Sequence, residues 1–550
     1  MKTYYSTLII LVFYLIAVKA SYSQINFDGV WEGIFMKDFK VIIEFNAVDQ
    51  NQAEGNIKMM AGNNIIQNDS ITDIERNNQE FKFFIPDKQT PFTGNFNNRT
   101  SELSGVFIFP DSSKHAILLK KRIKKPKTIE VYKNFKEKNI PSKDLETDLM
   151  FLYSSLKKYH PQLYAFTSQD AIDNILELLK SEIYKAQTIE TFFKLTTKLT
   201  DAIRCSHTGV RLPINYQNIV DKFGRYFPLR LYFANNKAFF ISGNLLGSDN
   251  TLLPGNEIIS INNKSIDSII TQLFYFIPTE GCNVTTKYNQ LNKNFNSLYN
   301  LLDDSEEFIV KYKTSESIVK TTVKSCIKKE LETGYFLQEN KNLVDFNYMN
   351  NNSIGVLKIA SFSINDMDQY LKKLDSIFNN LITTNTKSLI VDLRDNSGGH
   401  PIFAAQLLSY LTNKDFIYFK KNEEVKDFEP LYNIMHPNKL NFSEDLYIFV
   451  NGGCLSTTGH LISLLKYHTN AIFIGEEPGS TFRCNDLSLQ ITLPNTGIEL
   501  NVPRTTFETN VTGFTPCEPF LIDHKVNSTL TEIINNEDSY YKLVQSILNK

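Results

Sequence analysis

The chain has 550 residues, of which 42% are hydrophobic and 21% charged, with a formal net charge of −2. That length exceeds what one hydrophobic core sustains, so several domains are expected, and the near-neutral balance excludes a general electrostatic attraction to nucleic acid. Six cysteines are too few for a disulfide framework, and their spacing carries no paired metal-ligand motif.

At the start, Lys2 precedes an apolar run from Leu8 to Val18 and then small residues, the build of a secretory leader over residues 1–23. This predicts an exported chain, periplasmic or secreted, and no later segment is apolar enough to span a bilayer once the leader is removed. Residues 24–125 alternate in short stretches such as KVIIEF, FKFFIP and SGVFIF, separated by Gly, Asn and Asp. Period-two patterning of this kind predicts antiparallel strands closing into a small β-barrel or sandwich, loosely lipocalin-like. Residues 126–225 are helical: Leu145, Leu149, Leu152, Leu156 and Tyr159 recur at three- and four-residue spacing until Pro161 ends the pattern. Two further amphipathic segments deliver the chain to RCSHTGVRL, which holds Ser206 and His207 between a helix and a strand. Over 226–330 strands return around LLPGNEIISINNKSI. Over 331–545 buried strands alternate with helices, the signature of an α/β core with a largely parallel sheet. The fold class expected is therefore a multidomain mixture of α+β and α/β units.

Ligand sites in such sheets form at the carboxyl ends of strands, and two glycine turns stand there, DLRDNSGGH and NGGCLSTTGH. Gly398 and Gly399 could need only permissive backbone angles, or could expose N–H groups to a developing oxyanion. Ser456, before an apolar helical run, could be an ordinary helix cap or a nucleophile with the Thr457 N–H beside it.

Taken together, SLIVDLRDNSGGH, YIFVNGGCLSTTGHLISLLKYHTNAIFIGEEPGS and GFTP resemble the core of the tail-specific (C-terminal processing) serine peptidase family. LLPGNEIISINNKSI resembles the PDZ-type domain that such enzymes carry. The resemblance spans roughly residues 140 to 525 and rests on several ordered motifs. It implies an endopeptidase acting on polypeptides without a cofactor, with Ser456 as nucleophile and Gly398 or Gly399 with Thr457 as the oxyanion hole. One branch of the family activates its serine with a lysine some two dozen residues later; IGEEPGSTFRC has none. CSHTG instead resembles the tricorn-like branch, which makes His207 the base and Ser206 its helper. That branch places a glutamate before G-x-x-P, where this chain has Asn510, and Cys517 replaces the usual aspartate. Asn510 and the nearby Glu508 are thus candidates for the fourth catalytic position, with Glu518 close by.

Other assignments remain open at this level. His460 competes as a base, His160 is read as capping or packing, and His400 lies either on the cleft or on the surface. Cys484 with Cys517 is the expected bridge. The PDZ-like stretch should present an open sheet edge for a peptide end. Rival readings are a non-catalytic peptide- or ligand-binding protein on the same fold and an esterase, the latter weakened because GCLST is not a G-x-S-x-G elbow.

Overall fold

The structure is a computed structural model that describes residues 29–548 except 48–52, 63, 78–79, 98–101, 122–127, 186–187, 244–250, 335–341, 351, 422–427 and 527. The leader expected over residues 1–23 lies outside the described residues. The chain divides into two compact units, Met1–Lys127 and Thr128–Lys550.

In the first unit, eight antiparallel strands from Gly29–Phe35 to Lys114–Lys121 follow one another around a closed barrel, sealed where Trp31 pairs with Lys121. Closure settles the choice between barrel and sandwich. Alternation drives it: in Thr90–Asn97 every second residue is buried. The interior is filled by aromatic rings, including Trp31, Phe45, Phe83, Phe92 and Phe107, with Phe83 stacked on Phe92 at 4.6 Å. Any Cβ on Gly105 would enter the Phe92 ring, so glycine there is a packing requirement. The cavity left near Phe35 and Phe109 is about 50 Å³, which makes this a packed barrel rather than a lipocalin-like container.

The second unit begins with helices that bury their apolar faces together. Ser142–Tyr159 buries Leu145, Leu149, Leu152 and Leu156 and ends at His160, ahead of Pro161. Gln169–Ile183 is capped by Ser168, and Ile189–Ala202 by a Thr188/Thr191 capping box. A turn then carries Ser206 and His207 into the short strand Gly209–Arg211, which pairs with Glu499–Val502 from the far end of the chain.

Six strands from Leu229–Ala234 to Ile318–Lys324 form an antiparallel sheet with the helices Ile266–Phe274 and Thr285–Asn300. Leu229–Ala234 is one margin of that sheet. Side chains of Thr285–Asn300 bond to its outward backbone groups, so the open groove expected within 226–325 is absent along this margin. The last sheet runs in the order Val344–Met349, Ile354–Ile359, Ser388–Asp392, Asp445–Val450, Ile472–Gly475, His524–Lys525. Its first pair is antiparallel and the others are parallel. Ser388–Asp392 is buried throughout, as a strand covered by helices on both faces must be.

Among the described residues the disulfide joins Cys282 to Cys517, with Cα atoms 5.0 Å apart, which corrects the expected Cys484–Cys517 bridge. Cys484 is instead a buried free thiol on the strand Arg483–Asp486.

Candidate active site

Two loops at the carboxyl ends of adjacent parallel strands lock together around Ser456. Asn451 donates to Asp395 through Nδ2 at 2.9 Å, while its Oδ1 accepts from the N–H groups of Asp395 and Gly453 at 2.9 and 3.0 Å. The Leu455 N–H adds a bond to the Asn396 carbonyl at 3.1 Å. Side chains at Gly452 and Gly453 would collide with the Thr285 backbone and with Asp395, so the double glycine is what allows this approach. The loop ends with Ser456 at φ 53° and ψ −125°. A non-glycine residue in such a region is strained by about 1–3 kcal/mol and persists only where its surroundings overdetermine it. Although Ser456 stands in the N-cap position of Thr457–His468, its hydroxyl makes no capping bond. Helix capping therefore does not explain the serine.

Gly398 packs directly behind it: a Cβ there would sit 2.9 Å from Ser456 Cβ and 3.0 Å from the Thr457 nitrogen. The Gly398 N–H is committed to Asn396 Oδ1 at 2.9 Å. By contrast, among the described residues neither the Gly399 N–H nor the Thr457 N–H has an acceptor. Thr457 opens the helix, where N–H groups have no intrahelical partner, and its hydroxyl fixes the neighbouring loop by donating to the Gly399 carbonyl. The two candidate glycines thus separate: Gly399 has a free donor, and Gly398 sets the spacing.

His207 enters from the helical segment, and its carbonyl is held by Asn501 Nδ2 on Glu499–Val502. Its Nδ1 lies 3.2 Å from Ser206 Oγ, and Ser206 Oγ lies 2.8 Å from Glu280 Oε2. Because a carboxylate only accepts, the single Ser206 hydroxyl proton goes to Glu280, and the Ser206 lone pair accepts from Nδ1–H. That leaves His207 Nε2 unprotonated, 3.7 Å from Asp486 Oδ2. The Ser206 N–H also donates to Glu280 at 3.1 Å. Burial pushes the Glu280 carboxyl up to about 7, against the Ser206 bonds and the Arg483 charge, which pull it down. Burial holds His207 below the ordinary histidine value, with the Asp486 charge opposing.

Ser456 and His207 both approach the strand Arg483–Asp486 and make no hydrogen bond with each other. The nearest side-chain neighbour of the Ser456 hydroxyl is the Cys484 thiol at 3.9 Å, and the same strand continues to Asp486 beside His207 Nε2. The hydrogen-bond contact that a general base makes with its nucleophile is therefore not formed: Cys484 borders the hydroxyl, and Nε2 faces Asp486. Neither Asn510 nor Glu508 reaches Ser206. Glu508 is ion-paired with Lys420, and Asn510 is exposed with its N–H on the Tyr418 carbonyl at 3.0 Å. The carboxylate beside Ser206 is Glu280, from the loop between Ile266–Phe274 and Thr285–Asn300. Sequence reasoning missed it because it lies 74 residues from Ser206. The available signal was Cys282, two residues on, pairing with the cysteine that replaces the customary aspartate.

The other three candidate histidines lie in packing or capping positions. His460 is buried with both ring nitrogens unpartnered against Phe419, and burial together with the His207 charge pushes it down to about 3. His160 Nδ1 accepts from the Gln162 N–H at 3.1 Å, and His400 caps Pro401–Leu411 by accepting from Ile402. A cavity of about 250 Å³ opens beside Glu280, bounded by Phe166, Pro478, Phe482, Arg483 and Pro516. Among the described residues, no cluster of three or more His, Cys, Asp or Glu is placed to hold a metal ion, and no helix is long and apolar enough to cross a membrane.

Comparison with known proteins bears on this arrangement. The model of peptidase family S41 matches residues 353–511. The chloroplastic carboxyl-terminal-processing peptidase 2 of Arabidopsis thaliana is 28% identical over 128 residues, which is 23% of this chain and 24% of that protein. The match thus spans about a quarter of the plant enzyme. Mature CPAF complexed with lactacystin is similar with a TM-score of 0.56 at 12% identity, covering 74% of this chain and 97% of that chain. Mature CPAF alone gives a TM-score of 0.53 at 12% identity, covering 74% of this chain and 96% of that chain. At such identity the likeness is one of fold. Residues 353–511, the stretch that matches the serine peptidase model of family S41, carry both glycine loops and Ser456.

Proposed function

We propose that the chain is an exported endopeptidase of the tricorn-like type, acting on polypeptides through a Ser/His arrangement and carrying a PDZ-like module over residues 226–330. The observation that carries this reading is Ser456: a strained residue beside two free N–H groups, bordered by the strand that also meets His207, a histidine whose tautomer is set by Ser206 and Glu280. In the reaction, Ser456 Oγ bonds to the peptide carbonyl carbon while its proton passes to His207 Nε2, and the carbonyl oxygen takes the negative charge opposite the Gly399 and Thr457 N–H groups. The C–N bond then breaks, and His207 returns the proton to the leaving amine. Water repeats the sequence on the acyl-enzyme. Nε2 reaches Ser456 by turning away from Asp486; catalytic hydrogen bonds are often long without substrate. Glu280 keeps the Nδ1 proton in place, so the ring presents the basic nitrogen.

The 3.9 Å contact between Ser456 and the Cys484 thiol favours a second reading, a binding protein on the same fold whose nucleophile is not engaged by a base. A fluorophosphonate probe separates the two. The peptidase reading expects labelling of the full chain that Ser456→Ala abolishes and His207→Ala strongly reduces, together with cleavage of a peptide library. Absence of both labelling and cleavage would leave the binding reading.

A further inference from the structure

The helix Thr285–Asn300 carries Tyr288, Asn292, Asn296 and Asn300 four residues apart, hence on one face. All four bond to backbone along or beside the margin strand Leu229–Ala234. Asn300 Nδ2 donates to the Arg225 carbonyl at 2.7 Å, and Asn296 Nδ2 to the Phe227 and Leu229 carbonyls at 2.6 and 3.0 Å. Asn292 takes both groups of Phe233, accepting from its N–H at 2.6 Å and donating to its carbonyl at 3.1 Å. Tyr288 bonds to the N–H and side chain of Asn236 at 2.9 and 2.8 Å. The strand partners of Leu229–Ala234 lie on its other side, in Lys237–Gly243. The bonded groups, at alternate residues 225, 227, 229 and 233, are therefore those that an added strand would need.

A peptide that adds to a sheet edge requires an unbroken row of such groups, and a captured carboxylate requires free N–H groups beside that row. Here blocking at 227, 229 and 233 leaves only Leu231 between occupied positions. Just ahead of the strand, the Gly224 and Tyr226 N–H groups are already given to the Val220 and Cys326 carbonyls at 2.6 and 2.9 Å. Asn296 and Asn300 are buried, so water does not replace them easily.

We infer that this margin is sealed by the protein's own asparagine ladder, and that the enzyme takes internal segments of unfolded polypeptides instead of selecting chains by capturing a free C-terminal carboxylate along Leu229–Ala234. The inference rests on the peptidase reading for its substrate but on the ladder alone for the closed edge. Two arms keep them distinguishable. In the first, full-length enzyme digests reduced, alkylated casein and a matched pair of peptides, one ending in a free carboxylate and one amidated. Early cuts scattered along casein, and kcat/KM values equal within about twofold for the pair, are expected; a tenfold or greater preference for the free carboxylate would overturn the inference. In the second arm, catalysis is not needed: the free-acid peptide is titrated into Ser456→Ala, and deuterium uptake by the segment holding Phe233 is compared between Ser456→Ala and the same protein carrying Asn292→Ala. The sealed edge expects binding that amidation does not weaken, or none, and uptake at least tenfold faster once Asn292 is removed. Carboxylate-dependent binding, or uptake indifferent to Asn292, would refute it even if no peptide were cleaved; uncut casein with the second arm as expected would fail the peptidase reading alone.

Discussion

Asp148 offers a stringent test of how His207 is positioned. It is fully buried on Ser142–Tyr159, and its carboxylate accepts four bonds from a turn nearly 350 residues away. Oδ1 receives the Asn495 N–H at 3.0 Å and Nδ2 at 2.9 Å; Oδ2 receives the Thr496 N–H at 2.8 Å and hydroxyl at 2.6 Å. That turn joins Leu489–Thr492 to Glu499–Val502, the strand that pairs with Gly209–Arg211 and holds the His207 carbonyl through Asn501. In Asp148→Ala the exposed Asn495 amide rehydrates, but the two donors of buried Thr496 lose their acceptor. Each buried donor left unmet costs about 1–3 kcal/mol, and removing a buried charge offsets part of that, so a net loss of about 3–4 kcal/mol is expected. Denaturation with two probes measures it. Trp31 is the chain's one tryptophan and lies inside the barrel, so its fluorescence should keep the wild-type midpoint, while far-UV circular dichroism shows an earlier transition of the helical unit. Peptidase activity should fall in parallel. A loss under 1 kcal/mol with kcat unchanged would refute the idea that this buried carboxylate ties the His207 segment to the core.

Three further outcomes follow from the site. Ionised Glu280 is the form that accepts the Ser206 proton, so wild-type kcat/KM should climb with pH through about 7; Glu280→Gln should lose that climb and about 10- to 100-fold in kcat with little change in KM, measured as a pH–rate profile. His460 is depressed to about 3 in the folded state against an ordinary 6.5, so the unfolded chain binds the proton more readily. Its contribution is complete above 6.5 and declines toward pH 3 by up to about 1.4 kcal/mol per pH unit; His460→Leu should flatten that part of the stability curve, and an unchanged acid slope would count against its buried neutral state. Ser456→Gly relieves a positive-φ strain that Ser456→Ala retains, so the glycine variant should be about 1 kcal/mol more stable than the alanine variant, both inactive, by thermal denaturation.

What was legible in the amino-acid sequence was local. Period-two alternation in the first hundred or so residues marks the barrel strands because neighbouring side chains on a strand face opposite sides, and three- and four-residue leucine spacing marks the helix Ser142–Tyr159 for the corresponding helical reason. The glycine turns DNSGGH and NGGCLS could be placed at strand ends because a strand, a turn and a helix follow one another within some twenty residues. Tertiary structure alone decided whatever depends on which distant groups share a buried volume. The Ser206 carboxylate is Glu280, 74 residues on; the bridge spans 235 residues; and Asn292 reaches Phe233 across 59. A buried polar atom takes whatever partner the packing brings within about 3 Å, since leaving it unpaired costs more than one modest bond gains. Residue type in a linear string says that Glu280 and Asn292 need partners. Only the folded arrangement of helices and sheets says that one partner is Ser206, beside His207, and the other a strand's open edge.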